Sequence, residues 1–147
     1  MQDRAWVATR KGLFELRRRG FWVIERVHFL GEPVSMVLPP QASGRMLAAL
    51  NLGHFGVKVH ASDDAGTTWH EVPAPVYPPQ PEGEPVGGVA WKLQQIWSLE
   101  AAHGSVWAGT LPGGLFRSSD GAESWQLVEP LWNQPGRAEW FLSLIHI

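Results

Sequence analysis

An eight-residue pattern occurs twice in this chain and constrains its fold more than any other feature. Ser62-Asp63-Asp64-Ala65-Gly66-Thr67-Thr68-Trp69 recurs as Ser118-Ser119-Asp120-Gly121-Ala122-Glu123-Ser124-Trp125. Each copy follows a short apolar segment and precedes another, so each reads as the turn of a β-hairpin. The serine hydroxyl and aspartate carboxylate are suited to accept loop N–H groups, leaving the tight turn no orphan donors. Gly66 permits a positive φ, and the tryptophan opens the next strand and packs its indole on neighbouring strands. Ala122, standing where the first copy has Gly66, either costs about 1 kcal/mol at a positive φ or takes a different φ.

The flanking segments repeat as well. A first repeat runs through Trp6-Val7-Ala8-Thr9, a Lys11-Gly12 turn, Leu13-Phe14-Glu15-Leu16 and Phe21-Trp22-Val23-Ile24. In it Arg17-Arg18-Arg19-Gly20 stands in place of the octapeptide, and Trp22 alone keeps the pattern. The aligned valines Val27, Val72 and Val128 are 45 and 56 residues apart. Roughly 40–50 residues is the period of a four-stranded propeller blade, with an insertion in the last copy. The insertion is visible as six prolines between Pro73 and Pro85, which read as a long PPII-like connection without ladder donors. Composition agrees, with 16 Gly, 12 Pro and only 18% charged residues, which excludes long helices and coiled coils. Nine tryptophans and 44% hydrophobic residues supply a core and exclude disorder.

The first octapeptide fits the consensus S/T-x-D-x-G-x-T/S-W at every fixed position, and the second at all but Ala122. On these residues the chain resembles the Asp-box, or BNR-repeat, β-propellers of the sialidase-like group, over residues 1 to about 141. The resemblance implies that the box residues Ser62, Asp64, Gly66, Thr68, Trp69, Ser118, Asp120, Ser124 and Trp125 are structural. It places them at the hairpin between the third and fourth strands of a blade.

The expected fold is all-β: a partial β-propeller of about 2.75 four-stranded antiparallel blades with Asp-box hairpins. Blade 1 is expected at about 5–27, blade 2 at about 33–72, a Pro-rich loop at 73–91, blade 3 at about 92–128, and the next connection at 129–141. The strands of blade 2 are predicted at Pro33–Leu38, Met46–Leu50, Gly56–Ala61 and Thr68–Val72. Those of blade 3 are predicted at Leu93–Glu100, Ser105–Thr110, Gly114–Arg117 and Ser124–Val128. Blade 1 begins with a second strand, with no innermost strand before it. Trp97, Trp107, Trp125, Val37, Leu99 and Phe116 are expected to bury between sheets. Residues 142–147, Leu-Ser-Leu-Ile-His-Ile, match the translation of a transposon end used in sequencing-library preparation and are expected to be non-native. The native partner of these blades is then expected to be further C-terminal blades.

Function is expected on the end of the ring opposite the boxes, on loops between blades and between second and third strands. The candidate ligand face comprises Arg10, Lys11, Glu32, Asn51, His54, Tyr77 and Gln95, with Thr9, Trp91, Thr110 and Arg137 at the same end. Asn51-Leu52-Gly53-His54-Phe55-Gly56 is a Gly-flanked loop presenting an amide and an imidazole, suited either to a polar ligand or to its own backbone. A sialidase-like site needs an arginine cluster, a Tyr/Glu nucleophile pair and an acid Asp. Tyr77 is the single tyrosine, Arg10 the one arginine that can be placed in such a cluster, and the catalytic residues are unassigned. Two readings remain: a scaffold binding a glycan or protein, or a glycoside hydrolase whose catalytic residues lie mostly beyond these blades. On the second reading the fragment alone is expected to be inactive. His54, His60 and His70 lack carboxylates at ligand spacing, so neither a metal nor another cofactor is expected. The net charge of −2 gives no footprint for nucleic acid, and no apolar run approaches the ~18 residues of a membrane span. With no leader at its start, the chain is expected to be cytoplasmic by default, an extracellular location being left open.

Overall fold

A computed structural model describes residues 3–83 and 90–137 of the 147. Residues 84–89 of the expected Pro-rich loop, 138–141 of the expected connection and the whole 142–147 tail lie outside the described residues. Three antiparallel sheets follow one another along the chain. The first has three strands, β1 (Arg4–Thr9), β2 (Gly12–Arg19) and β3 (Phe21–His28), in the order β1-β2-β3. The second has four, β4 (Val34–Leu38), β5 (Met46–Asn51), β6 (Val57–Ser62) and β7 (His70–Val72). The third has β8 (Gln95–Ala102), β9 (Ser105–Leu111), β10 (Gly114–Ser118) and β11 (Gln126–Leu127). Both four-stranded sheets run in sequence order, the meander of a propeller blade. The chain is thus part of an all-β propeller, with the strands of the second and third sheets within about two residues of the predicted positions, while β2 and β3 run on to Arg19 and His28, beyond the predicted Leu16 and Ile24.

The outermost strands are shorter than predicted. The box loop holds Thr68, Trp69, Ser124 and Trp125 out of the ladder, so β7 begins at His70 and β11 at Gln126. A four-residue helix, α1 (Glu129–Trp132), occupies the start of the expected inter-blade connection, with Pro130 in its first turn.

β5 shows why the sheets stack. Its sequence Met-Leu-Ala-Ala-Leu-Asn is apolar at five successive positions, and Met46 to Leu50 are all fully buried. Side chains alternate between faces along a strand, so Ala48 and Leu50 pack with Leu13 of the first blade and Val34. Leu47 and Ala49 pack in a second cluster with Ile96, Leu99, Ala108 and Phe116 of the third blade. The two alanines let the neighbouring sheets approach from both sides. Leu99 and Phe116 are buried as expected, whereas Val37, Trp97, Trp107 and Trp125 are only half-buried. Trp125 lies at the rim because its indole Nε1 donates to the carbonyl of Pro73 at 2.9 Å. Arg117 stacks over Trp107, 5.5 Å from the ring centroid.

Each box is closed by its own side chains. Asp64 Oδ1 accepts the N–H groups of Thr67 and Thr68 at 2.9 and 2.8 Å and the Ser62 hydroxyl at 2.8 Å. Asp64 Oδ2 accepts the Thr68 hydroxyl, and Ser62 Oγ accepts the N–H of Gly66 at 2.8 Å. Ser118, Asp120, Ala122 and Ser124 repeat the pattern with the same atoms. Bonds from the Thr68 N–H and hydroxyl hold the Asp64 carboxyl far below the usual carboxylate range. The hydroxyls of Ser124 and Ser118 draw Asp120 down to about 2.

Both boxes place two successive residues in the left-handed region. These are Ala65 (φ 55°) and Gly66 (φ 88°) in the first, and Gly121 (φ 73°) and Ala122 (φ 77°) in the second. Ala122 therefore keeps the positive φ rather than escaping it, and its methyl is fully buried.

Candidate functional site

Antiparallel registers sort the loops to two ends. The boxes, the β2–β3 turn at Gly20 and the β4–β5 turn lie at one end. The β1–β2 turn, the β5–β6 loop and the chain segments joining blades lie at the other.

At this second end the backbone brings two charges together. Thr9 Oγ1 accepts the N–H of Lys11 at 3.0 Å and donates to Gly12 O at 2.9 Å, which fixes the β1–β2 turn. The N–H of Gly31 then donates to Lys11 O at 3.0 Å, tying that turn to the connection entering blade 2. Gly31 has a φ of 88°, and Phe29, two residues earlier, a φ of 53°, so the connection turns sharply here. Arg10 and Glu32 are left exposed on adjacent segments.

They line an open groove of about 760 Å³ together with Pro33, Val34 and Ser35 of blade 2, its β5–β6 loop, and Gln95 at the start of blade 3. The loop contributes Asn51, Leu52, Gly53 and Phe55. A 3₁₀ turn, Gly53–Phe55, shapes it, closed by Leu52 N–H to Gly56 O at 2.9 Å and Gly56 N–H to Gly53 O at 3.0 Å. Phe55 stands 77% exposed at the groove, with the His54 ring edge-on to it at 5.7 Å.

Four candidate residues, Arg10, Glu32, Asn51 and Gln95, thus share one groove. Lys11 and His54 are exposed at the same end but do not line it. Asn51 is engaged within the protein. Its Nδ2 donates to Gln94 O at 3.0 Å and lies 3.5 Å from Gln95 Oε1, while its Oδ1 accepts the Gly53 N–H at 3.3 Å. It therefore stitches blade 2 to blade 3 beneath the groove.

Tyr77 departs from the expectation of a ligand-face residue. Within the Pro-rich connection Pro75 and Tyr77 turn inward and are buried, while Pro73, Val76, Pro78 and Pro79 stay exposed. The Tyr77 hydroxyl bonds to Thr110 Oγ1 and donates to the carbonyl of Pro112. Its ring meets Phe116 edge-on at 5.1 Å and Trp132 at 4.8 Å. Burial pushes the phenol up to about 12. A tyrosine so placed can neither reach a solvent-borne sugar nor ionise as a nucleophile near neutrality. Thr110 is buried with it, Trp91 packs on Trp132 at 5.1 Å, and Arg137 stacks 3.5 Å over the Trp132 ring.

The amide and imidazole of residues 51–56 are the polar candidates in the sequence, but it is Phe55 that forms the aromatic wall of the groove. Its signal in the sequence is a phenylalanine set between His54 and Gly56 in a turn-forming run.

No family model matches the chain, and no curated protein matches it in sequence. A solved structure of YCF48 bound to D1 peptide is similar in fold, with a TM-score of 0.53 and 17% sequence identity. The match covers 86% of this chain and 38% of that one, so this chain spans well under half the length of the protein it resembles.

Proposed function

We propose that these blades belong to a Asp-box propeller that acts as a binding scaffold, holding an extended polypeptide segment of a protein partner in the groove between Arg10 and Gln95. The observation that carries this reading is the groove itself. It is open, contributed by all three sheets, and combines an exposed phenyl with a cation, a carboxylate and a side-chain amide. Polypeptide surfaces mix these same groups, and loops on a rigid scaffold are where binding residues gather. The likeness in fold to a propeller with a bound peptide supports the same class of ligand. A hydrolase reading draws no support from the groove, whose lining carries one arginine and one carboxylate, or from Tyr77, whose hydroxyl is buried.

The test is binding of the fluorescently labelled full chain to an array of blocked eight-residue peptides printed beside a glycan array. Retention on a subset of peptides is expected, reduced about tenfold by Phe55→Asp and unchanged by Phe21→Asp at the box end. Retention on glycans alone, or turnover of a fluorogenic sialoside, overturns the reading.

A further inference from the structure

We propose that the groove selects segments in which an acidic and a basic side chain flank an apolar one. Arg10 takes the acid, Glu32 the base, and Phe55 the apolar residue. This specificity rests on the polypeptide reading above.

The first observation is an exception in how this chain uses arginine. Among the described residues every other arginine is engaged. Arg4, Arg17, Arg19, Arg26 and Arg45 are held by carboxylates, and Arg18 is engaged as well. Arg117 bonds to Ser105 and covers Trp107, and Arg137 bonds to the carbonyl of Trp132 and covers its ring. Arg10 makes neither a hydrogen bond nor an ion pair, although Glu32 lines the same groove. The Glu32 side chain makes none either, although its backbone N–H donates to Phe29 O at 2.9 Å; its charge reaches His60, whose proton it favours against the stronger effect of burial. The Gly31–Lys11 backbone bond sets the two side chains on adjacent segments without joining them, so both remain available to a ligand.

The second observation is that Phe55 is exposed yet held. Its turn is pinned by backbone bonds on both sides and by the Asn51 side chain. An apolar surface ordered before binding costs little to engage. Opposite unpaired charges beside a fixed phenyl select a ligand that supplies both complements and an apolar contact. An uncharged apolar segment leaves both charges to be desolvated without compensation. A purely acidic segment meets Glu32.

Because the groove is open, each ion pair contributes modestly, about threefold in affinity. The probes are blocked heptapeptides carrying Asp, Leu and Lys separated by single glycines, in both orders, with Asn replacing Asp or Gln replacing Lys as controls. For the full chain, fluorescence anisotropy is expected to show about threefold weaker binding for each neutral replacement, the differences shrinking in 0.5 M salt. Arg10→Ala abolishes the Asp/Asn difference and retains the Lys/Gln difference. Glu32→Ala does the reverse. A merely structural effect of either change moves all peptides together and leaves both ratios intact, which overturns the proposal while peptide binding stands. If no peptide binds the full chain, the scaffold reading fails first and the specificity with it.

Discussion

The guanidinium of Arg45 donates twice to the carbonyl oxygen of Gly121, from Nε at 3.1 Å and from Nη2 at 2.7 Å.. Arg45 leaves the second blade and grips the box of the third, while its Nη1 meets Asp63 in its own blade's box at 2.7 Å and its Nη2 meets Glu123 at 2.6 Å. Blade 1 does the same with a different residue: Arg26 Nη1 donates to Thr67 Oγ1 in the first box at 3.0 Å. Its Nε is meanwhile held by the fully buried Glu15 at 2.6 Å. The boxes thus serve as handles by which one blade holds the next.

Arg45→Ala is expected to lower unfolding free energy by about 1–3 kcal/mol, most of it from the bonds to Gly121, since the partly exposed carboxylates add little. Arg45→Lys recovers only a fraction, because a single ammonium cannot span the carbonyl and both carboxylates. Urea denaturation of the three proteins checks the order; a lysine variant as stable as the parent refutes the role of the planar fork.

The two boxes respond differently at equivalent positions. A Cβ on Gly66 would stand 3.1 Å from Met46 Sδ and 3.5 Å from Trp6 Nε1 at a φ of 88°. Gly66→Ala is therefore expected to destabilise by about 1–2 kcal/mol. Ala122→Gly relieves a left-handed residue but removes a buried methyl worth about 0.8 kcal/mol, and comes out within about 0.5 kcal/mol of neutral. Paired thermal melts of the two variants test the asymmetry.

Acid should act through the boxes. Asp120 is drawn from an ordinary 3.8 to about 2 when folded, and Asp64 is held lower still. The unfolded chain therefore takes up these protons at higher pH than the folded one, and protonation favours unfolding. This contribution is complete above about pH 4 and fades as pH falls through about 2. Urea midpoints between pH 7 and pH 2 should show the gap between parent and Asp120→Asn closing below pH 4. Asp64→Ala is expected to lower stability at neutral pH, with ligand binding lost only in proportion to unfolding; selective loss of binding at an unchanged melting temperature would argue against a structural box.

Tyr77 offers a direct optical test, since it is the single tyrosine. Its phenol is raised from 10.0 to about 12, so the folded protein should show no tyrosinate absorbance step near pH 10. The neutral phenol is favoured by folding, so its contribution is whole below pH 10 and is lost as pH rises towards 12. Tyr77→Phe removes the bonds to Thr110 and Pro112 at an expected cost of about 1 kcal/mol. A phenolate appearing near pH 10 before any unfolding would place Tyr77 in solvent.

The strands and hairpins were legible because their signals are local. Val57–Ser62, the box and His70–Val72 form a unit in which each bond joins residues close in sequence, so the octapeptide alone specifies the turn. The positive φ of Ala122 was open between two outcomes. It was resolved by context: Ser118 Oγ must accept the Ala122 N–H, and Arg45 approaches Gly121. The burial of Tyr77 was not legible, because the proline run that carries it has no periodicity to say which side faces a sheet.

By itself the sequence determined an all-β chain of repeated hairpin sheets, each box residue's turn chemistry, and the end of the sheets on which the remaining loops gather. Tertiary structure alone decided that Arg10, Glu32, Phe55 and Gln95 line one groove, that Asn51 is consumed in holding it, and that Arg45 reaches Gly121. Turn chemistry is settled within about eight residues, by backbone groups that must be satisfied wherever the hairpin sits. The groove and the arginine grip join residues 22 to 85 positions apart, and these meet only where Ala48 and Ala49 allow three sheets to close on the two faces of β5.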